Sequence, residues 1–273
     1  MVTYDLNKAR EAAIAASDAS SRLLLDRFRS ADKPLDTWMK APGALVTDAD
    51  MSADGAIAQA LASSGLPISI RSEESTSTLG DGDACWLVDP LCGTVPFSLG
   101  MPHWGVNIAL LIDGRLELGL ISIPTSGERL VATGQGGARL GQSPLESAPP
   151  TTELSLSTVG LEVDGGAEWA RVLSGELRWV PQVGQVNTFS SAAYPAAQVC
   201  MGRLAAAVFY KIAPVHIAAG ACIATELGLR VTDSLGRDLD WNSTADLPIV
   251  VMGWPEVHGQ LIDAMDSAPK RTP

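Results

Sequence analysis

The sequence predicts a layered sandwich of helices and strands, of the α/β or α+β class. Strand-like and helix-like segments alternate along the chain of 273 residues, and no internal repeat is present. Hydrophobic residues make up 46% of the chain and charged residues 18%, which supports a substantial core and argues against disorder. A chain of this length is expected to form one large domain or two closely packed halves.

The N-terminal part of the chain is predicted to contain two helices followed by short strands. Residues 5–29 place small and apolar side chains on one stripe at helical spacing, and residues 51–63 are expected to form a second helix. Short strands are predicted at 66–70 and 85–88, where apolar and β-branched residues cluster.

Two hairpins are predicted next. In residues 103–124, the pair Asp113-Gly114 stands between two β-rich runs, which is a strong hairpin signal. A second hairpin is expected around 132–141, where glycines separate two short runs.

Residues 142–153 are rich in proline, serine and threonine and are interpreted as a linker. We therefore expect an N-terminal α+β half at 1–145, which carries the candidate site motifs, and a C-terminal α/β half at 146–273, which completes the site. In the C-terminal half, strands are predicted at 154–161, 205–211, 229–233 and 247–253, and helices at 190–202, at 216–227 and from Trp254 onward. His258 belongs to this final helix and is expected at the surface.

The charge and the cysteine pattern exclude several classes of function. The net charge is −12 and the isoelectric point is about 4.6, so we expect neither nucleic acid nor an anionic membrane as a partner. No apolar run approaches the roughly 18 residues of a transmembrane helix. The N-terminus lacks the pattern of a signal peptide, and the four cysteines lack CxxC pairing, so a cytoplasmic protein with free thiols is expected. The expected partner is a small-molecule substrate.

Acidic side chains cluster beside predicted turns. Asp50, the pair Glu73 and Glu74, and Asp89 lie in three separate segments. Carboxylates that converge from several segments are what a hard divalent cation needs. Solvated caps and turns are an equally good interpretation of this spacing alone.

A possible anion site follows Asp89. Gly93 lets the backbone approach a ligand closely, and Thr94 offers a hydroxyl and an amide. If a helix begins there, its free N–H groups would favour an anion such as phosphate.

Four segments resemble the signatures of the inositol monophosphatase superfamily, in the same order and at similar separations. The resemblance covers nearly the whole chain and implies an αβαβα sandwich that hydrolyses small phosphate monoesters with Mg²⁺. It also implies a homodimer. The four segments are VTDAD, SEES, WLVDPLCGT and PVHIAAG.

The resemblance implies a role for each matching residue. Glu73, Asp89 and the carbonyl of Leu91 match ligands of the first metal. Thr94 with Asp50 matches the pair that orients and activates the attacking water.

The resemblance also implies groups that contact the substrate. Gly93 and Thr94 match the turn that holds phosphate. Lys211 precedes the fourth motif, where family members often place substrate-recognition residues, so it is a candidate to pair with a phosphate or carboxylate. A solvated lysine is the commoner case.

The sequence departs from the family pattern at the second metal. Cys92 replaces one aspartate ligand and His216 replaces another, while Val215 and Pro96 replace a tryptophan and an asparagine. A thiol and an imidazole do not provide the hard-oxygen site that Mg²⁺ requires. Residues that replace two ligands of one ion are expected to be close neighbours.

Three interpretations of Cys92 and His216 stay open. They form a nucleophile–base pair for hydrolysis, group transfer or cyclisation of a small polar substrate, which is the leading hypothesis. Alternatively, they bind a softer metal such as Zn²⁺ with Asp89, with Glu73 as a candidate further ligand. The corresponding function is a phosphatase of a sugar or inositol monophosphate that uses one retained Mg²⁺ or a substituted metal. In the third interpretation the site has decayed and the protein binds a small ligand without turnover. The cofactor is accordingly none, one Mg²⁺ or a Zn²⁺.

Overall fold

The structure is a computed structural model that describes residues 4–41, 44–77, 83–163, 171–172 and 174–266. The helices used below are α1 (Leu6–Arg27), α2 (Asp48–Ser63), α3 (Thr94–Ser98), α4 (Ala193–Cys200), α5 (Pro214–Glu226) and α6 (Pro255–Asp266). The first ten strands are β1 (Thr37–Ala41), β2 (Ala44–Thr47), β3 (Ser69–Ser72), β4 (Thr76–Ser77), β5 (Ala84–Cys92), β6 (Gly105–Ile112), β7 (Arg115–Ile123), β8 (Glu128–Thr133), β9 (Gly137–Leu140) and β10 (Ser143–Pro144). The last five are β11 (Thr158–Val163), β12 (Gln185–Asn187), β13 (Ala206–Ile212), β14 (Arg230–Thr232) and β15 (Leu247–Gly253).

The strands form two large sheets. Eight strands lie in the order β10-β9-β8-β7-β6-β5-β3-β4, and five lie in the order β12-β11-β13-β15-β14. Strands β1 and β2 pair separately as an antiparallel hairpin. In the larger sheet every pairing is antiparallel except that of β3 with β5.

Helices and sheets stack in five alternating layers, as the sequence predicts. Helices α1 and α2 cover one face of the larger sheet, where Ala13 and Trp86 share a core. Helices α4 and α5 fill the space between the two sheets, where Ala219 and Phe209 are buried. Helix α6 covers the outer face of the smaller sheet through residues such as Leu261. The αβαβα sandwich is confirmed.

Both predicted hairpins are present. Strands β6 and β7 pair through the turn at Asp113 and Gly114, whose φ values of 50° and 76° match a tight hairpin turn. Strands β8 and β9 form the second hairpin.

Two local features position the candidate site. Between Asp89 and Cys92, strand β5 carries one more residue than β6 across from it, which is a β-bulge. Helix α5 lies unusually close to β7, because a Cβ on Gly119 would come within 2.4 Å of the Ala219 carbonyl oxygen. A larger residue at position 119 would push α5, and with it His216, away from the sheet.

Several predicted boundaries are wrong for local reasons. Helix α2 begins at Asp48 rather than 51, because the Thr47 side chain caps it. Strand β5 continues through Cys92, so the segment after Val88 is strand rather than turn. His258 is 4% exposed, with its Nε2 2.9 Å from the Thr232 hydroxyl, and does not lie at the surface.

Two further boundaries also differ. The predicted strand at 66–70 lies later, at β3, and β10 pairs with β9 inside the predicted linker. Across the residues that the structure describes, no helix is long and apolar enough to cross a membrane.

Candidate active site

A pocket of about 330 Å³ lies where the bulge of β5, the start of α3 and the start of α5 meet. It contains seven residues that the sequence singles out: Glu73, Asp89, Leu91, Cys92, Gly93, Thr94 and His216. Its other lining residues are Ala44, Leu45, Val95, Glu162, Val163, Ser190, Ser191, Ala192 and Ile212.

Two predicted residues lie outside the lining. Asp50 is fully buried and reaches the pocket only through its contact with Thr94. Lys211 is exposed on β13, and its neighbour Ile212 lines the pocket instead. A substrate contact by Lys211 stays a prediction.

Asp50 is held in the first turn of α2 and points at Thr94. The Thr47 amide and hydroxyl donate to Asp50 Oδ2 at 2.8 and 2.5 Å, which completes a capping box. The Thr94 hydroxyl donates to Asp50 Oδ1 at 2.9 Å. Burial raises the pKa of Asp50 above its usual value, although its hydrogen bonds with Thr47 and Thr94 act in the opposite direction. The pair is therefore a fixed proton-accepting unit behind the pocket wall.

Glu73 is positioned by a buried aspartate on α2. Asp54 accepts hydrogen bonds from the hydroxyls of Ser72 and Ser75, both at 2.6 Å, and these two serines flank the acidic pair. The Glu73 amide donates to the Val88 carbonyl at 3.0 Å. The loop that carries Glu73 is thus tied to both α2 and β5.

The carboxyl of Glu73 has a raised pKa. Burial and the nearby Asp89 raise it to about 8, although His216 and Lys40 act in the opposite direction. Lys40, on β1, lies 3.3 Å from Glu73 Oε1 and also pairs with Glu74. Burial lowers the pKa of Lys40, but the two carboxylates outweigh it and the net pKa is raised. Buried carboxylates that gather in one pocket with a raised pKa are typical of a cation site.

His216 pairs with Asp89. Its Nδ1 lies 2.6 Å from Asp89 Oδ2, and Asp89 Oδ1 accepts the Leu91 amide at 3.1 Å. Asn107 donates from Nδ2 to the His216 carbonyl at 2.8 Å, which fixes the start of α5. The Asp89 side chain is 1% exposed and that of His216 is 15% exposed, so the pair is largely screened from water.

Cys92 is a buried thiol beside this pair. Its sulfur accepts the Ala193 amide at 3.2 Å, and its own carbonyl accepts the Ser191 hydroxyl at 2.9 Å. Burial and the charge of Asp89 raise the pKa of the Cys92 thiol well above its usual value. One potential ligand atom from each of Asp89, Cys92 and His216 lies within 4.8 Å of the others. The predicted closeness of Cys92 and His216 is confirmed.

Taken together, the surroundings of Cys92 do not support an activated thiolate, although the Ala193 amide acts to lower the pKa of the thiol. The imidazole nitrogen Nδ1 of His216 contacts a carboxylate, and the surroundings of the thiol favour its neutral form. The nucleophile–base version of the sequence hypothesis therefore lacks the electrostatic support it needs.

We expect Cys92 to resist alkylation in the folded protein between pH 6 and 9, because its thiol is buried and its pKa is raised. Peptide mapping after iodoacetamide treatment measures this, with the partly exposed Cys85 as the internal comparison. Modification of Cys92 with a midpoint below about pH 8.5, lost in His216→Ala, would contradict it.

Gly93 makes the turn into α3. Its φ of 108° is left-handed, and a Cβ there would lie 2.9 Å from the His103 carbonyl oxygen and 3.0 Å from Ser191 Cβ. Only glycine fits this position without moving both neighbours.

Sequence reasoning missed Glu162. It is a charged residue within an apolar run, but the predicted strand ended one residue before it. Glu162 is 6% exposed and lines the pocket. Burial raises its pKa to about 8, although hydrogen bonds from the amides of Phe189, Ser191 and Ser190 act in the opposite direction.

Comparison with known proteins gives one family. Residues 5–269 match the sequence profile described as the inositol monophosphatase family. A fructose-1,6-bisphosphatase/inositol-1-monophosphatase of Thermotoga maritima is 31% identical over 158 residues, which are 58% of this chain and 59% of that protein. The similarity to this relative thus spans less than two thirds of its length.

Two further proteins are similar over almost their full length. The Nus factor SuhB of Escherichia coli K12 is 27% identical over 259 residues, covering 93% of this chain and 97% of that one. The crystal structure of the extragenic suppressor protein suhB from Bartonella henselae superposes with a TM-score of 0.85. It is 24% identical and covers 96% of this chain and 98% of that one, so it supports the fold alone.

Proposed function

Because the chain belongs to the inositol monophosphatase family, we propose that it is a metal-dependent phosphatase of a sugar or inositol monophosphate with an altered second metal position. Family members are phosphatases of small molecules and normally use Mg²⁺. One observation carries the proposal. The Thr94–Asp50 hydrogen bond of 2.9 Å lies at the wall of the pocket that also contains Glu73 and Asp89.

The retained half of the site fits one Mg²⁺ ion. Glu73 and Asp89 offer carboxylates and Leu91 offers a carbonyl, and all three residues line the pocket. Hard oxygen ligands are those that Mg²⁺ prefers. The second position does not fit Mg²⁺, because Cys92 offers a buried neutral thiol and His216 an imidazole. We derive no role for a second Mg²⁺ ion.

A softer cation suits the second position. Sulfur, imidazole nitrogen and carboxylate oxygen are the ligand set that Zn²⁺ accepts, and Asp89, Cys92 and His216 offer one of each. The thiol would lose its proton on binding, so occupancy is expected to rise with pH. We therefore propose Zn²⁺ or a similar transition metal there.

Thr94 and Asp50 are proposed to prepare a water molecule for attack on phosphorus. The Thr94 hydroxyl donates a hydrogen bond to Asp50, which leaves its oxygen lone pairs free to accept a hydrogen bond from water. Thr47 fixes the other carboxylate oxygen, so Asp50 keeps its orientation toward Thr94. A proton passed through Thr94 to Asp50 makes the water a better nucleophile. A bound cation would add positive charge that polarises the ester and stabilises the leaving oxygen.

A Cys92-centred hydrolase, transferase or cyclase is the second candidate. The Ala193 amide, which donates to Cys92 Sγ at 3.2 Å, is the contact that favours it, since an N–H donor stabilises a thiolate. It predicts turnover in chelator that is lost in Cys92→Ala.

Metal removal and replacement test the proposal. The protein is purified, its metal content is measured by mass spectrometry, and phosphate release from sugar and inositol monophosphates is assayed with and without EDTA. We expect EDTA to abolish release, and Zn²⁺, Mn²⁺ or Co²⁺ to restore it at least about tenfold better than Mg²⁺, as the softer donor set requires.

Each other outcome selects an alternative. Turnover that persists in EDTA contradicts a metal-dependent phosphatase and favours the Cys92 candidate. Ligand-induced thermal stabilisation without phosphate release under any metal indicates a binding protein.

Three further expectations from the sequence stay predictions. They are the homodimer, the cytoplasmic location and the division into halves at 1–145 and 146–273. Size-exclusion chromatography with light scattering tests the first of them.

A further inference from the structure

Glu162 is a second acidic feature of the pocket, separate from the cluster around Asp89. It lies near the end of β11 and is 6% exposed, and the rest of that strand is largely apolar. Its Oε1 accepts the Phe189 amide at 2.7 Å, and its Oε2 accepts the Ser191 amide at 3.3 Å. The Ser190 amide also contacts the carboxyl group. The side chain is therefore rigid and fixed by backbone donors.

The backbone amides do not occupy every hydrogen-bond acceptor position of the Glu162 carboxylate. A carboxylate has about four acceptor positions, and three amides contact it. Because Glu162 lines the pocket, a remaining position is available to a ligand in it. In its ionised form the carboxylate accepts hydrogen bonds and donates none, so that form requires a donor as its partner.

The charge of Glu162 favours a positively charged donor. In the proposed function bound cations would offset Glu73 and Asp89, whereas among the lining residues that the structure describes there is no lysine or arginine to offset Glu162. Lys40 is not a lining residue, and it pairs with Glu73 and Glu74. An ammonium group on the substrate would offset the charge of a buried carboxylate, whereas a neutral hydroxyl would not.

We propose that Glu162 is a specificity-determining residue that binds a protonated amine of the substrate, a phosphate monoester of a single-ring amino sugar or amino polyol. The inference rests on the proposed phosphatase function. The phosphate would lie at Gly93 and Thr94, and the amine at Glu162, on the side of the pocket formed by Ser190 and Ser191.

Size and electrostatics agree with this assignment. The pocket of about 330 Å³ is at the small end of ligand pockets, which suits one sugar-sized ring. Burial raises the pKa of Glu162 to about 8 in the free protein, and an ammonium group beside it would stabilise the charged form.

Matched substrate pairs test the proposal. Phosphate release is measured at pH 8 with three pairs, each of an amine and its hydroxyl analogue. Glucosamine 6-phosphate and 3-amino-3-deoxyglucose 6-phosphate are each compared with glucose 6-phosphate. O-phosphoethanolamine is compared with ethylene glycol phosphate. We expect kcat/KM to favour the amine in at least one pair by about tenfold or more, the scale of one charge-assisted hydrogen bond. Glu162→Gln should remove this preference, so that the kcat/KM ratio of the amine to its hydroxyl partner approaches one.

Glu226→Gln is the matched control. Glu226 also accepts two backbone amides, those of Gln135 and Gly137, both at 3.0 Å, but it does not line the pocket. This variant should keep the amine preference of the native protein. A melting temperature for each variant separates loss of specificity from loss of folding.

Binding of the same pairs, followed by calorimetry in EDTA, does not depend on turnover. Amine preference that disappears in Glu162→Gln supports the assignment even if no phosphate is released, in which case the phosphatase proposal alone fails. No amine preference in either readout, or a preference that survives in Glu162→Gln, overturns the assignment.

Discussion

Asp50→Asn should lower the rate of phosphate release by about 10²–10⁴-fold, the usual contribution of a positioned general base. The asparagine oxygen can still accept the Thr47 amide, so the cap of α2 is kept. Its NH₂ group would then face Thr94 Oγ1, where Asp50 Oδ1 now accepts a hydrogen bond at 2.9 Å. Thr94 loses its carboxylate acceptor and keeps the Leu91 carbonyl, at 3.3 Å, which cannot take up a proton, while the fold and the pocket keep their shape. Initial rates with the best substrate and metal, together with the melting temperature, measure the effect.

Two variants at Thr94 distinguish the role of its hydroxyl group from the role of its side-chain volume. Thr94→Ser keeps a hydroxyl and should retain most of the activity, whereas Thr94→Val keeps the shape and should fall as far as Asp50→Asn. The double variant Asp50→Asn with Thr94→Val should be no worse than either single variant, because the two residues act as one unit.

Asp48→Asn is the control on the same helix turn. Asp48 pairs with Arg27 at 2.6 Å and does not line the pocket, so this change should leave the rate within about twofold, as expected away from the reacting groups. Activity in Asp50→Asn equal to that of Asp48→Asn would remove the water-activation role from Asp50.

Local sequence signals predicted the parts of the fold that depend on neighbouring residues. Asp113 and Gly114 can adopt positive φ, so their hairpin could be predicted from the sequence without knowledge of the sheet. The cap of α2 is equally local. Thr47 followed three residues later by Asp50 has the spacing of a capping box, and a prediction that does not use this signal starts the helix too late.

The candidate site was only partly predictable, because it depends on where distant segments meet. The motif resemblance placed Cys92 and His216 together, and the structure agrees. It did not indicate that the imidazole turns its Nδ1 to Asp89, since that depends on the bulge in β5 and the position of α5. A sequence pattern gives residue identity at a site but not the burial that decides its charge.

Glu162 illustrates a limit of a different kind. Its role depends on the segment at 189–191, whose amides fold over the end of β11. No spacing rule connects a strand residue to a loop that follows it by some 27 positions. The one available signal was a carboxylate in an apolar strand, which must find partners if it is buried.

Changing both substituted ligands to aspartate, Cys92→Asp with His216→Asp, should shift the metal preference of the protein to Mg²⁺. The double variant places two more carboxylates beside Asp89, in a site where the Cys92 residue is 4% exposed. Without a cation these like charges repel, so the melting temperature in EDTA should fall below that of the native protein. Mg²⁺ should restore it, by about 2.7 kcal/mol of stability when the ion is present at 100 times its dissociation constant.

This prediction can be tested without any substrate. Thermal melts in EDTA, Mg²⁺ and Zn²⁺ compare the double variant with each single variant and with the native protein. The double variant should gain more stability from Mg²⁺ than the native protein or either single variant, because these bind Mg²⁺ at the first position and keep a soft ligand at the second. Phosphate release then provides the second readout, with Mg²⁺ expected to support at least about tenfold more activity in the double variant than in the native protein.

The pattern of results also separates the competing functions. If Mg²⁺ stabilises the double variant and supports turnover, the remaining machinery of Asp50, Thr94 and Glu73 is competent, and the two substitutions tune the choice of metal. If Mg²⁺ stabilises it without turnover, the scaffold binds metal but the native reaction lies elsewhere, as a Cys92-centred enzyme or a binding protein requires. If Mg²⁺ stabilises the double variant no more than it stabilises the native protein, the pocket does not hold a second hard cation even with oxygen ligands. The proposed correspondence between Cys92, His216 and the second metal position would then be wrong.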